Sequence, residues 1–109
     1  MKRLIAGVVA MMVSATALAQ GKGNAEAGKA VYDYKCKKCH GTNGEGNAAL
    51  AKSWKVTFPD FRSKELQRKT DADLKKVVAE GKGKMLPPKD LSDQQVEDVI
   101  AFLRSLAKP

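Results

Sequence analysis

Five consecutive residues, Cys36-Lys37-Lys38-Cys39-His40, constrain what this chain can fold into more than any other feature. They hold both cysteines and the one histidine of the 109-residue sequence. Two thiols separated by two residues can reach neighbouring vinyl groups along one porphyrin edge and form thioethers there. The imidazole that follows is then placed to bind the iron from one face. Cys-x-x-Cys-His is accordingly the pattern of covalent haem attachment. A chain that carries it is expected to fold around a large apolar disc.

Other chemistries fit these residues less well. A structural zinc ion takes four ligands, and no second Cys/His pair completes such a set. A redox-active Cys-x-x-Cys belongs to a strand-to-helix turn of a βαβ unit, but alternating strand patterns are missing around the motif. Both cysteines lie in one motif, so there is no disulfide framework. In an oxidising compartment they would pair with each other unless something consumed them, and haem attachment consumes them.

The first nineteen residues are read apart from the domain. Lys2 and Arg3 give a positive start, Leu4 to Val13 is an apolar run, and Ala17-Leu18-Ala19 fits a small-residue cleavage site. This is the layout of a secretory signal peptide cut after Ala19. Leu4 to Leu18 spans only fifteen residues and includes Ser14 and Thr16, whereas a bilayer helix needs about 20 apolar residues. The expected organisation is a signal peptide over 1–19 and a single domain over 20–109. That domain has no transmembrane anchor and would reside in the periplasm as a monomer. So short a domain buries a limited core and commonly depends on a cofactor for stability.

The chain carries 20 basic against 12 acidic residues, a net charge of +8. Removing Lys2 and Arg3 leaves 18 basic residues and +6. A basic surface steers association with acidic partners. The charges are spread from Lys22 to Lys108 without a compact block, and export makes nucleic acid an unsuitable partner. The expected partners are redox proteins with acidic docking surfaces.

Hydrophobic spacing and end signals predict three main helices, one short helix and Gly/Pro/Asn-rich loops. The first helix begins near Asn24, a good N-cap, with Glu26 in its first turn, and runs close to Cys36. Ala27, Val31 and Tyr34 share one face, with Gly28 and Tyr32 beside them. Gly41 to Asn47 reads as a loop. A looser segment follows through Trp54, Phe58, Pro59 and Phe61, then a short helix around Ser63 to Arg68. Thr70-Asp71-Ala72-Asp73 opens the next helix, which carries Leu74, Val77 and Val78 and stops at Gly81. Gly81 to Asp90 is a second loop, closed to helix by Pro87 and Pro88. The last helix opens at the capping box Ser92-Asp93-Gln94-Gln95 and buries Val96, Val99, Ile100, Leu103 and Leu106.

A second iron ligand follows by elimination. His40 is committed, and Met1, Met11 and Met12 fall in the leader, which leaves Met85 as the one methionine of the mature chain. A methionine can also be a flexible core filler. Met85, however, sits in the Gly/Pro loop beside Lys84 and ahead of two prolines.

These residues resemble those of the small bacterial class I c-type cytochromes, including the c6-like and c551-like groups. The resemblance rests on Gly28 and Tyr32, Cys36 to Gly41, Gly81-Lys-Gly-Lys-Met85 and Val99-Ile-Ala-Phe102-Leu103, and covers nearly all of Ala25 to Lys108. It implies an all-α cytochrome c fold around one haem c, attached at Cys36 and Cys39, with His40 and Met85 as axial ligands. It also implies that Gly28 permits a close crossing of the first and last helices, with Tyr32 and Phe102 packed there. Leu86 stands where many relatives have proline directly after the methionine.

With both axial positions closed, the iron has no room for substrate. The expected role is an electron carrier cycling between Fe(III) and Fe(II), without catalytic residues. Two alternatives are an electron-entry subunit of a larger oxidoreductase and a haem enzyme or ligand-binding protein with a displaceable methionine. Lys35, Lys37, Lys38, Lys82, Lys84 and Lys89 flank the two haem-bearing segments, where they would form a docking rim or an ordinary basic surface. Trp54 is open to two readings, a propionate partner or a packing residue. Tyr32, Phe58 and Phe61 are read as core or pocket walls.

Overall fold

The computed structural model describes residues 23–108. The expected leader, residues 1–19, lies outside the described residues. Those described form helices α1 (Ala25–Lys35), α2 (Lys37–His40), α3 (Ala48–Trp54), α4 (Lys64–Gln67), α5 (Asp71–Glu80) and α6 (Asp93–Ser105). Among them the β pairing is an isolated antiparallel bridge between Lys82 and Met85, and the domain is all-α as expected. No helix among the described residues is long and apolar enough to cross a membrane.

The long helices start where their polar caps place them. Asn24 Oδ1 accepts from Ala27 N at 2.9 Å, and Thr70 Oγ1 accepts from Asp73 N at 3.1 Å. At α6 the box is complete: Ser92 Oγ accepts from Gln95 N at 3.1 Å, and Gln95 Oε1 accepts from Ser92 N at 2.8 Å. Each cap satisfies a helix-end N–H that has no partner within the helix.

The core sits where α1 crosses α6. Gly28 makes that crossing close: a Cβ built there would overlap the backbone carbonyl of Asp98 on α6. Around the crossing pack Tyr32 of α1 and Val99, Ile100, Phe102 and Leu103 of α6, joined by Phe61, Leu66, Leu74 and Val78. The Tyr32 and Phe102 rings lie 4.9 Å apart. Burying each such large apolar side chain is worth about 1.5–3 kcal/mol. Asp98 is buried at the same crossing, where its Oδ1 accepts from Asn24 N and from Gln94 Nε2, both at 2.9 Å. Both donors are aimed at one carboxylate oxygen, so the buried acid is hydrogen-bonded rather than orphaned.

Two local expectations change. Ala27 is exposed, and Tyr34 is 82% exposed with Lys35 Nζ over its ring at 5.2 Å. The packed face of α1 runs through Gly28 and Tyr32, with Val31 half-buried beside them. The i, i+4, i+7 spacing of Ala27, Val31 and Tyr34 describes an equally regular stripe. The face that can approach another backbone wins, and only Gly28 allows that. The second change is α3, which occupies the start of the looser segment that follows the Gly41–Asn47 loop. It is capped by Asn47, and none of its seven residues is buried, so it leaves no apolar stripe to read.

Candidate functional site

The Cys-x-x-Cys-His segment forms a single helical turn. Cys36 ends α1 and opens α2, and its carbonyl accepts from Cys39 N at 3.2 Å and from His40 N at 3.0 Å. Residues at i, i+3 and i+4 share one side of a helix. The spacing 36, 39, 40 therefore sets both thiols and the imidazole on one side of this turn.

The loop that follows holds the turn from below. Lys37 O accepts from Gly41 N at 2.8 Å, Cys39 O from Asn47 N at 2.9 Å and His40 O from Gly46 N at 2.7 Å. Asn47 Nδ2 donates to Lys38 O at 3.0 Å, while Asn47 Oδ1 caps α3. All four carbonyls of α2, normally unsatisfied at a helix C-terminus, are thereby bonded. Tyr32 Oη, on a side chain with no exposed surface, donates to Gly41 O at 2.6 Å. Burial pushes the Tyr32 hydroxyl well above its ordinary range, which keeps it a neutral donor. Gly44, at φ +78, allows Phe61 to close in: its Cβ would come within 2.6 Å of the Phe61 Cβ.

Phe61 in turn walls the histidine. Its ring stacks on His40 with centroids 4.6 Å apart, and Phe58 meets His40 edge-on at 5.5 Å. His40 is 9% exposed, and its Nδ1 is buried without a hydrogen-bond partner. Burial pushes the imidazole below its ordinary pKa, so the ring is neutral and keeps a lone pair. Both cysteines are free thiols. Burial, then the neighbouring Cys39, pushes Cys36 up to about 11.

Met85 is half-buried on the second loop. Lys82 N donates to Met85 O at 3.0 Å, and Met85 N donates to Lys82 O at 2.9 Å, which folds Lys82–Met85 into a turn. Lys84 Nζ donates to Trp54 O at 2.8 Å. Trp54 tilts against Phe58 at 6.4 Å, so the methionine loop joins the aromatic wall of His40 through Lys84, Trp54 and Phe58.

These residues fit a haem. A neutral buried imidazole, two free thiols on the same helical turn and a thioether in a tied loop form a donor set suited to haem iron and its covalent attachment. Among the described residues no group of three or more His, Cys, Asp or Glu side chains is arranged to hold a metal ion, which leaves the zinc reading without a ligand set.

The surrounding expectations fare unevenly. Lys37, Lys38, Lys82, Lys84 and Lys89 are exposed, whereas Lys35 is half-buried against Tyr34. Trp54 is 37% exposed and contributes its backbone carbonyl to the loop as well as its ring to the wall. The tie of Asn47 to the Cys36–His40 turn and the bond of Lys84 to Trp54 are absent from the sequence reading, because each depends on a partner that only the fold brings near.

A small all-α domain wrapped around a Cys-x-x-Cys-His turn defines the c-type cytochrome class. The chain belongs to the cytochrome c family, whose model matches residues 25–107. Among solved structures it is similar to the KustC0563 c-type cytochrome, at 25% identity and a TM-score of 0.64, over 74% of this chain and 98% of that one. The comparison with curated proteins finds no match. Membership of the family makes a covalently bound haem c the cofactor and haem-based electron transfer the general role.

Proposed function

We propose that this chain is an exported one-electron carrier whose haem c is linked to Cys36 and Cys39 and whose iron is held between His40 and Met85. The observation that carries the reading is the buried, neutral His40 on the same turn as two free thiols. When bound, the haem supplies reversible exchange between Fe(III) and Fe(II).

The chain's own residues hold that exchange in place. His40 and Met85 together would hold the iron without an open position, which fits outer-sphere transfer rather than substrate chemistry. Thioether ligation favours the ferrous state and raises the potential. Phe58 and Phe61 keep water from the histidine side. The exposed lysines at 37, 38, 82 and 89 would orient the protein on an acidic redox partner, where charge complementarity raises the rate of encounter. Cleavage after Ala19 would deliver the domain to the periplasm, where it acts as a free monomer.

A redox titration of the purified holoprotein and of Met85→Ala tests the ligand pair. The reading predicts a one-electron transition, a weak absorption band at the red end of the ferric spectrum, and loss of that band with a lowered potential in Met85→Ala. An unchanged spectrum in Met85→Ala would contradict it. Reduction by an acidic redox protein should slow as salt rises; a flat salt dependence would remove the docking rim.

A further inference from the structure

We infer that Lys84 is a positioning residue for the distal side of the haem: its ammonium locks the Met85 loop onto the C-terminus of α3. The inference rests on Met85 being the distal ligand and goes beyond it, since nothing in that assignment requires Lys84.

Trp54 is the last residue of α3. Its carbonyl is among those left without an intrahelical partner at a helix C-terminus, where the helix dipole is negative. Lys84 Nζ meets that oxygen at 2.8 Å across thirty positions of sequence. A cation at this place gains both a charge-assisted hydrogen bond and a favourable dipole contact.

The bond matters because the loop has few other ties. Among the described residues, the hydrogen bonds of Lys82 to Asp90 are the internal Lys82–Met85 pair and the Lys84–Trp54 bond. The internal pair shapes the turn but does not fix its place. Lys84 supplies the external anchor, one residue before Met85. The anchor point is also well chosen, because the Trp54 ring rests on Phe58 and Phe58 rests on His40. One ammonium thus connects the loop carrying the methionine to the wall that holds the histidine.

Loss of the bond should not remove Met85 from the iron. It should make the loop open more often and let a small external ligand compete. Imidazole binding to the ferric holoprotein measures that opening, with the red-end band reporting whether methionine is bound. Lys84→Ala should retain the band and bind imidazole about threefold to tenfold more tightly than wild type, the range for one exposed hydrogen bond. Lys84→Arg, which keeps a cationic donor, should restore affinity to near the wild-type value. Lys55→Gln removes an exposed charge beside the same carbonyl while leaving the bond, and should bind imidazole as wild type does.

Wild-type affinity in Lys84→Ala would overturn the role of Lys84 while leaving the methionine assignment intact. An equal increase in Lys55→Gln would also overturn it, since charge rather than the bond would then be responsible. A wild-type ferric spectrum without the band would refute methionine ligation, and the inference with it.

Discussion

Replacing Gly28 with alanine sets two effects of opposite sign against each other in one methyl group. In an isolated helix, Gly→Ala stabilises by about 1 kcal/mol, because alanine loses less conformational freedom. Here the added Cβ would overlap the carbonyl oxygen and carbon of Asp98 and lie 3.0 Å from Val99 N. All three are backbone atoms of α6, so no rotamer change relieves the contact. The helices must part, loosening Tyr32, Val99, Ile100, Phe102 and Leu103 together. Overpacking costs of about 1–3 kcal/mol apply when side chains can adjust, and more when they cannot. We take the cost at the upper end, which leaves a net destabilisation of about 2 kcal/mol or more after the propensity gain. For a domain of this size about 1 kcal/mol moves the melting temperature by roughly 4–8 °C, so the variant should melt about 8–16 °C lower. Thermal unfolding of the holoprotein followed by helix circular dichroism reads the shift. Ala30→Gly, at an exposed position of the same helix, should lose only about 1 kcal/mol through propensity. A Gly28→Ala variant that melts at or above wild type would refute the close crossing.

Two further predictions test the site and its supports. Tyr32→Phe removes the 2.6 Å bond to Gly41 O and should cost about 1–2 kcal/mol, read as a lower denaturant midpoint with unchanged slope; an unchanged midpoint would show that Gly41 needs no donor. Arg62 beside Asp60 holds the Asp60 carboxylate at about 2, below its ordinary 3.8. A depressed folded-state pKa adds stability above the ordinary value that is lost as pH falls through about 2. Asp60→Asn should therefore be less stable than wild type at neutral pH, with the gap closing between about pH 4 and pH 2. A gap of constant size across that interval would contradict the ion pair's contribution.

The sequence made the helix starts legible because their signals are local. Asn24, Ser63, Thr70 and Ser92 each bond a backbone N–H three residues ahead, so the cap and its partner are read together. The Cys36–His40 turn is legible for the same reason, and its spacing alone places three side chains on one face. Tertiary choices were harder to read. The crossing at Gly28 and Tyr32 followed only from the family resemblance, since periodicity gives Tyr34 an equal claim to the core. Helix α3 left no pattern because it buries nothing. Lys84 was one lysine among many until its partner, thirty positions away, was in view. Phe61 could be read as a wall, but its stacking on His40 depends on a turn at Gly44 that brings the two together.

Covalent attachment through Cys36 and Cys39 is tested most directly by the mass of the denatured, purified protein, followed by peptide mapping. The account predicts a polypeptide beginning at Gln20 plus one haem, with the added mass confined to the peptide that contains Cys36-Lys37-Lys38-Cys39-His40. Haem that separates from the chain on denaturation, or a mass equal to the bare polypeptide, would contradict it.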